Sequence, residues 1–115
     1  MILIVLMVQR SQLLKKMNKT EISIVTCSYN SKKYIRSFIR KINLILTKLR
    51  IKNFEIIIVD DFSDNETQRE LKKVTKIHRN LKVIFLNKNL QLHKAMMIGI
   101  KNAKGKYIYC TDIDL

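Results

Sequence analysis

Proline and tryptophan are absent from this chain of 115 residues, and glycine and cysteine occur twice each. Each shortage excludes something. With Gly99 and Gly105 as the only glycines, no glycine-rich loop can wrap a phosphate in backbone N–H groups, so a bound diphosphate would have to be held another way. Cys27 and Cys110 lie inside apolar runs and not in a framework of spacings, which argues against a disulfide scaffold and for a reduced, cytoplasmic chain. His78 and His93 stand apart from one another and from cysteine, so no Cys/His metal cluster is present. The longest N-terminal apolar run, residues 1–8, is far short of the ~20 residues that cross a bilayer. It also lacks the basic leader and small-residue cleavage site of a secretory signal.

Acidic residues are the last shortage: nine against 23 Lys and Arg, for a formal net charge of +14. The basic residues are spread over every expected helix. Such scatter is compatible with a plain solvated surface or with an anionic membrane face, reached from the cytoplasmic side as a peripheral protein. Nucleic acid is the less suitable partner, because no basic stripe interleaved with aromatics and no recognition-helix signature occurs.

The length allows one domain. Residues 1–19 read as an apolar and basic extension that either pads the core or lies on a membrane, unless Met17 is the natural start. Residues 20–115 read as the folded unit. From residue 22 strand and helix patterns alternate. Ile22–Cys27, Phe54–Asp60, Val83–Leu86 and Tyr107–Thr111 are apolar, β-rich runs of strand length, the second apolar on both faces. Between the first two, Tyr34, Ile35, Phe38, Ile39, Ile42, Ile45, Leu46 and Leu49 recur at helical spacing, with Asn30 or Ser31 as cap. A second helix is expected from Ser63-Asp64-Asn65-Glu66, a capping-box spacing, with Leu71, Val74 and Ile77 on its inner face. The third spans about 89–104, with the inward residues Ala95, Met96, Gly99, Ile100 and Ala103, and Gly105 to stop it. This β-α-β-α-β-α-β order predicts an α/β fold, a three-layer doubly wound and mainly parallel sheet.

In such a sheet, ligands collect beyond the carboxyl ends of the strands. Four of the nine acidic residues sit there: Asp60-Asp61 after the second strand, Asp112 and Asp114 after the fourth. Asp112 and Asp114 either end a strand as ordinary polar residues or share a divalent cation, Mg2+ or Mn2+, with phosphate oxygens filling the remaining positions. Asp60 and Asp61 either cap local backbone or accept hydrogen bonds from a base or ribose. Tyr29 offers a flat face for a base or a lid over the core, while Asn30 is the better helix cap. His93, near the start of the third helix, contacts substrate or covers the sheet end. Cys27 and Cys110 fall on adjacent strands if the fourth strand flanks the first, more as small buried hydrophobes than as a redox pair.

Together these segments resemble the N-terminal, nucleotide-binding half of family 2 glycosyltransferases, which have the GT-A fold. SIVTCSYNSKKYI is similar to the family's first strand and helix, FEIIIVDDFSDNET to its second strand and ribonucleoside-binding turn, and GKYIYCTDIDL to the strand ending in D-x-D. The likeness covers about residues 20–115. LNKNLQLHKAMMIGIKNAKGKYIYCTDIDL is most similar to the polyprenyl-phosphate sugar transferases, dolichyl-phosphate mannose synthase-like enzymes among them. Those show an N-x-G-Q-H-x-A stretch whose glycine and glutamine positions are Gln91 and Leu92 here; they also have proline at Cys27 and glutamate at Ser31.

The resemblance implies that Cys27 and Tyr29 border the base, that Asp61 reads base or ribose with Asp60 beside it, and that Asp112 and Asp114 hold Mg2+ or Mn2+ on the diphosphate. It implies transfer of a sugar from a UDP- or GDP-linked donor to a polyprenyl phosphate or, alternatively, a glycan acceptor, with a general base expected beyond Leu115. A chain ending there is expected to be a fragment that binds donor and transfers nothing alone, with an unpaired fourth strand open to self-association. A non-catalytic basic module on membrane or nucleic acid is the reading from another class.

Overall fold

The computed structural model describes residues 20–115 together with the backbone of Ile4–Met7. The candidate start at Met17 and the rest of the 1–19 segment lie outside the described residues.

Among the described residues five strands form one sheet: β1 (Ile4–Met7), β2 (Ile22–Ser28), β3 (Phe54–Asp60), β4 (Leu81–Phe85) and β5 (Tyr107–Cys110). Their spatial order is β1-β5-β2-β3-β4. β5, β2, β3 and β4 run parallel, as the alternating pattern predicts, and β1 is antiparallel to β5 with Ile4 opposite Cys110 and Met7 opposite Tyr107. The strand expected to be unpaired is therefore flanked on both sides: β2 takes one edge and the apolar N-terminal run takes the other.

Among the described residues three helices complete the layers: α1 (Lys32–Lys48), α2 (Asn65–Ile77) and α3 (Gln91–Asn102). On one face Ile22, Ile24, Ile56 and Ile58 of the sheet pack against Ile35, Phe38, Ile39, Ile42 and Leu46 of α1 and Leu71 and Val74 of α2. On the other, Val25, Ile57, Val59, Ile108 and Cys110 meet Ala95 of α3 and Ala103 just beyond it. The alternation of Ile56 and Ile58 with Ile57 and Val59 explains why β3 reads as apolar throughout: both its faces are covered.

Glycine is needed twice, each time for close approach and not for its dihedral freedom, since neither glycine has a positive φ. A Cβ on Gly99 would lie 2.5 Å from Val25 Cγ1, so α3 reaches the sheet because that position is bare. A Cβ on Gly105 would lie 2.6 Å from both Ser23 N and Ser23 Oγ. The third helix thus ends at Asn102, with Ala103 as C-cap, and Gly105 is required by the start of β2 and not as a helix stop.

Three further expectations change. The N-cap of α2 is Asp64, whose carboxylate accepts from Thr67 N–H at 2.9 Å, so the Ser63-to-Glu66 capping box does not form. Ser63 is turned inward instead, donating its backbone N–H to Asp60. Ile77 is exposed because Val74 is the last inward position before the chain leaves the helix at His78. Asn30 does not cap α1 either: with φ at 52°, its side-chain oxygen accepts from Asp64 N–H at 2.8 Å.

Candidate functional site

The carboxyl ends of β2 and β5 and the loop after β3 open onto a cleft of about 540 Å³. Thr26, Cys27, Tyr29 and Ser31 after β2, Asp61 after β3, Asn89, Gln91 and Leu92 before and in α3, and residues 111–114 after β5 supply its walls. The placement follows from topology. β5 crosses back to lie beside β2, so the fourth strand's exit is brought next to the first strand's exit, where strand order reverses.

Asp61 is held firmly. Its backbone N–H donates to Ser28 O at 2.8 Å, and its Oδ1 accepts from Leu90 N–H at 2.7 Å. The Asn89 side-chain amide donates to Asp61 O at 3.2 Å. No side chain caps the start of α3, so the Asp61 carboxylate, facing Leu90 N–H, supplies the negative charge that a helix N-terminus attracts. One carboxylate oxygen is thereby committed to the fold, leaving the other for the cleft.

Asp60 sits beneath the cleft and not on its wall. It is fully buried, Oδ2 accepts from Ser63 N–H at 3.1 Å, and Oδ1 has no hydrogen-bond partner among the described residues. His93 is exposed and borders a neighbouring depression that shares Asn89, Gln91 and Leu92 with the cleft. Cys27 is half-buried on the cleft wall, while Cys110 is buried one strand away, opposite Val25. Burial first, then the neighbouring Asp61, Cys110 and Asp112 groups, push the Cys27 thiol up to about 12. Burial alone raises Cys110. Both are free thiols.

Asp112 is half-buried and Asp114 exposed, both lining the cleft with the buried Ile113 between them. Two carboxylates are a hard-oxygen donor set suited to Mg2+ or Mn2+. Among the described residues no group of three Asp, Glu, His or Cys side chains converges on one point. The pair therefore fits a cation that shares its remaining positions with a ligand's oxygens better than a site enclosed by protein alone. The hydroxyls of Thr26 and Thr111, also on the wall, are buried without a hydrogen-bond partner among the described residues. Polar atoms in that state call for a water or ligand.

Several wall residues were not site candidates in the sequence: Thr26, Asn89, Gln91, Leu92 and Thr111. Asn89 and Gln91 could have been found by the break in pattern before α3. Gln91 has φ of 71°, the left-handed region that favours glycine, and it stands where the resembling family has glycine.

Residues 23–115 match the model of glycosyl transferase family 2, and the chain belongs to that family. An uncharacterized glycosyltransferase of Rickettsia conorii is 39% identical over 98 residues, which are 85% of this chain and 15% of that protein. The dolichol-phosphate mannosyltransferase of Saccharomyces cerevisiae is 27% identical over 95 residues, 83% of this chain and 36% of that protein. The crystal structure of S. aureus TarS in complex with UDP-GlcNAc superposes with a TM-score of 0.67 at 28% identity, over 83% of this chain and 27% of that one. The expected GT-A arrangement of parallel strands and covering helices is thus present. The chain spans between 15% and 36% of the length of these three proteins.

Proposed function

We propose that this chain binds the donor of a glycosyl transfer, a nucleotide-diphosphate sugar linked to UDP or GDP. The observation that carries the reading is the convergence of Tyr29, Asp61, Asp112 and Asp114 on one cleft at the carboxyl ends of the parallel strands. In this reading the exposed Tyr29 ring stacks on the base, and the uncommitted oxygen of Asp61 accepts a base N–H or ribose hydroxyl. Asp112 and Asp114 hold the diphosphate through Mg2+ or Mn2+, which when bound offsets the negative charge that grows on the departing diphosphate. Asp60 supports the turn that aims Asp61, and Cys27 borders the base as a neutral thiol.

A polyprenyl phosphate is the acceptor class we favour, because the yeast relative is named as a dolichol-phosphate mannosyltransferase and the likeness runs through the same strands. A membrane-facing enzyme working from the cytoplasm suits that acceptor. No described helix is long and apolar enough to cross a membrane, so contact with lipid would be peripheral over these residues.

Calorimetry with UDP- and GDP-sugars, with and without Mn2+, tests the donor site. Asp112→Ala and Asp114→Ala should each weaken metal-dependent binding by about tenfold or more, the loss of one carboxylate from a two-carboxylate site. Binding that ignores Mn2+ and survives both substitutions would refute the proposal.

A further inference from the structure

We propose that the outward side of α1 is a docking surface for an anionic lipid bilayer. The helix carries Lys32, Lys33, Arg36, Arg40, Lys41 and Lys48 and no acidic residue. Only two ion pairs occur among the described residues, Lys32 with Glu66 and Arg36 with Glu70, so Arg40 and Lys48 have no acidic partner there. Among these cations Leu44 faces solvent at 54% exposure, and beside the stripe, toward the sheet, Ile45 is 46% and Leu49 63% exposed. Arg40, Lys41 and Lys48, three or four residues from Leu44 along the helix, ring it with positive charge.

Two hollows flank that stripe. One, of about 450 Å³ between α1 and α2, is lined by Arg36, Arg40, Asn43, Leu44, Thr47 and His78 and has the chemistry to receive a phosphate headgroup. The other, of about 290 Å³ between α1 and the sheet, is walled by Ile42, Ile45, Leu46, Leu49, Tyr109 and Leu115 and is almost wholly apolar. A helix with cations along its outward side, leucines and isoleucine among and beside them and no anion is suited to the plane of an anionic interface, charges on the headgroups and apolar side chains among the upper acyl chains. The net charge of +14 adds long-range attraction to the same partner. Nucleic acid fits less well, since the centre of the patch is aliphatic and offers bases nothing to stack on or hydrogen-bond.

Co-sedimentation of the full chain with vesicles of phosphatidylcholine plus phosphatidylglycerol, against vesicles of phosphatidylcholine alone, provides the test. Binding should require phosphatidylglycerol and weaken as salt rises, and the Leu44→Glu/Leu49→Glu double variant should lose about tenfold or more of its partition. Leu44→Ser/Leu49→Ser, which adds no charge, should lose less but still measurably. Circular dichroism and calorimetric titration with nucleotide sugar should be unchanged in both variants, whose altered side chains lie outside the donor cleft, so failure here is separable from failure of the donor assignment. No sedimentation with anionic vesicles, equal sedimentation by the double variants, or stronger capture by a duplex oligonucleotide with the same dependence on Leu44 and Leu49 would overturn the proposal.

Discussion

Cys27 is the one sulfur on the cleft wall, and its surroundings decide what it can do. With its thiol pushed up to about 12 by burial and by adjacent carboxylates, it is protonated at neutral pH and is neither a nucleophile nor a thiolate ligand. Alkylation by iodoacetamide at pH 8, followed by mass spectrometry, should run at least about a hundredfold slower at Cys27 than at a free cysteine. The same shift has a linkage consequence of definite sign. The unfolded thiol, at about 9.0, ionises before the folded one, so its stabilising contribution is complete below that pH and drains away as pH rises toward about 12. Thermal midpoints of Cys27→Ser should accordingly fall less steeply than wild type across that window. Gln91 offers a second test at this scale. Its left-handed φ costs a non-glycine residue ~1–2 kcal/mol, of which glycine's extra unfolded entropy would return only part, so Gln91→Gly should stabilise by about 0.5–1 kcal/mol in urea titration. The site's carboxylates were legible in the sequence because strand exits are where polar residues interrupt apolar runs. The dihedral at Gln91 and the burial of Asp60 were not, since adjacent identical residues give no hint of which one faces inward.

At the level of elements, the strands and helices were legible almost to their ends, as β3 shows: FEIIIVD is apolar on both faces and bounded by polar residues. What escaped was set by contacts remote in the chain. Asp64 won the α2 cap from Ser63 because Ser63 N–H is drawn to Asp60, and Ser63 Oγ accepts from Asn30 N–H at 2.9 Å. Gly105 illustrates the same point, for nothing near it in sequence announces that β2 will press against it. Gly105→Ala forces a methyl into backbone, with no helix propensity to gain, and should cost about 1–3 kcal/mol, read as a lowered urea midpoint with an unchanged slope. Its N–H also donates to Ser23 Oγ at 2.8 Å, within a chain of bonds in which Ser23 donates to Glu55, and Glu55 accepts from Lys104 N–H. That knot ties β2, β3 and the approach to β5 at the end of the sheet opposite the cleft.

For the whole molecule, the feature no local pattern could announce is β1. The apolar run of residues 1–8 reads as a core pad or a membrane tail, and the structure instead sets its residues 4–7 as a strand on the edge of β5. Deleting residues 1–7 should re-create the bare edge that β5 would otherwise present and give concentration-dependent association in sedimentation velocity, where the intact chain stays at lower mass. The pairing also bears on biogenesis. Because residue 4 lies against residue 110, β1 is made well before the strand it pairs with, and the loop between them encloses β2, β3, β4 and the three described helices. Closing so wide a loop is entropically worthwhile only after β2, β3 and β4 have assembled their own layers. Until β5 is in place β1 therefore has no edge to pair with, so the outermost strand is the last to join the sheet.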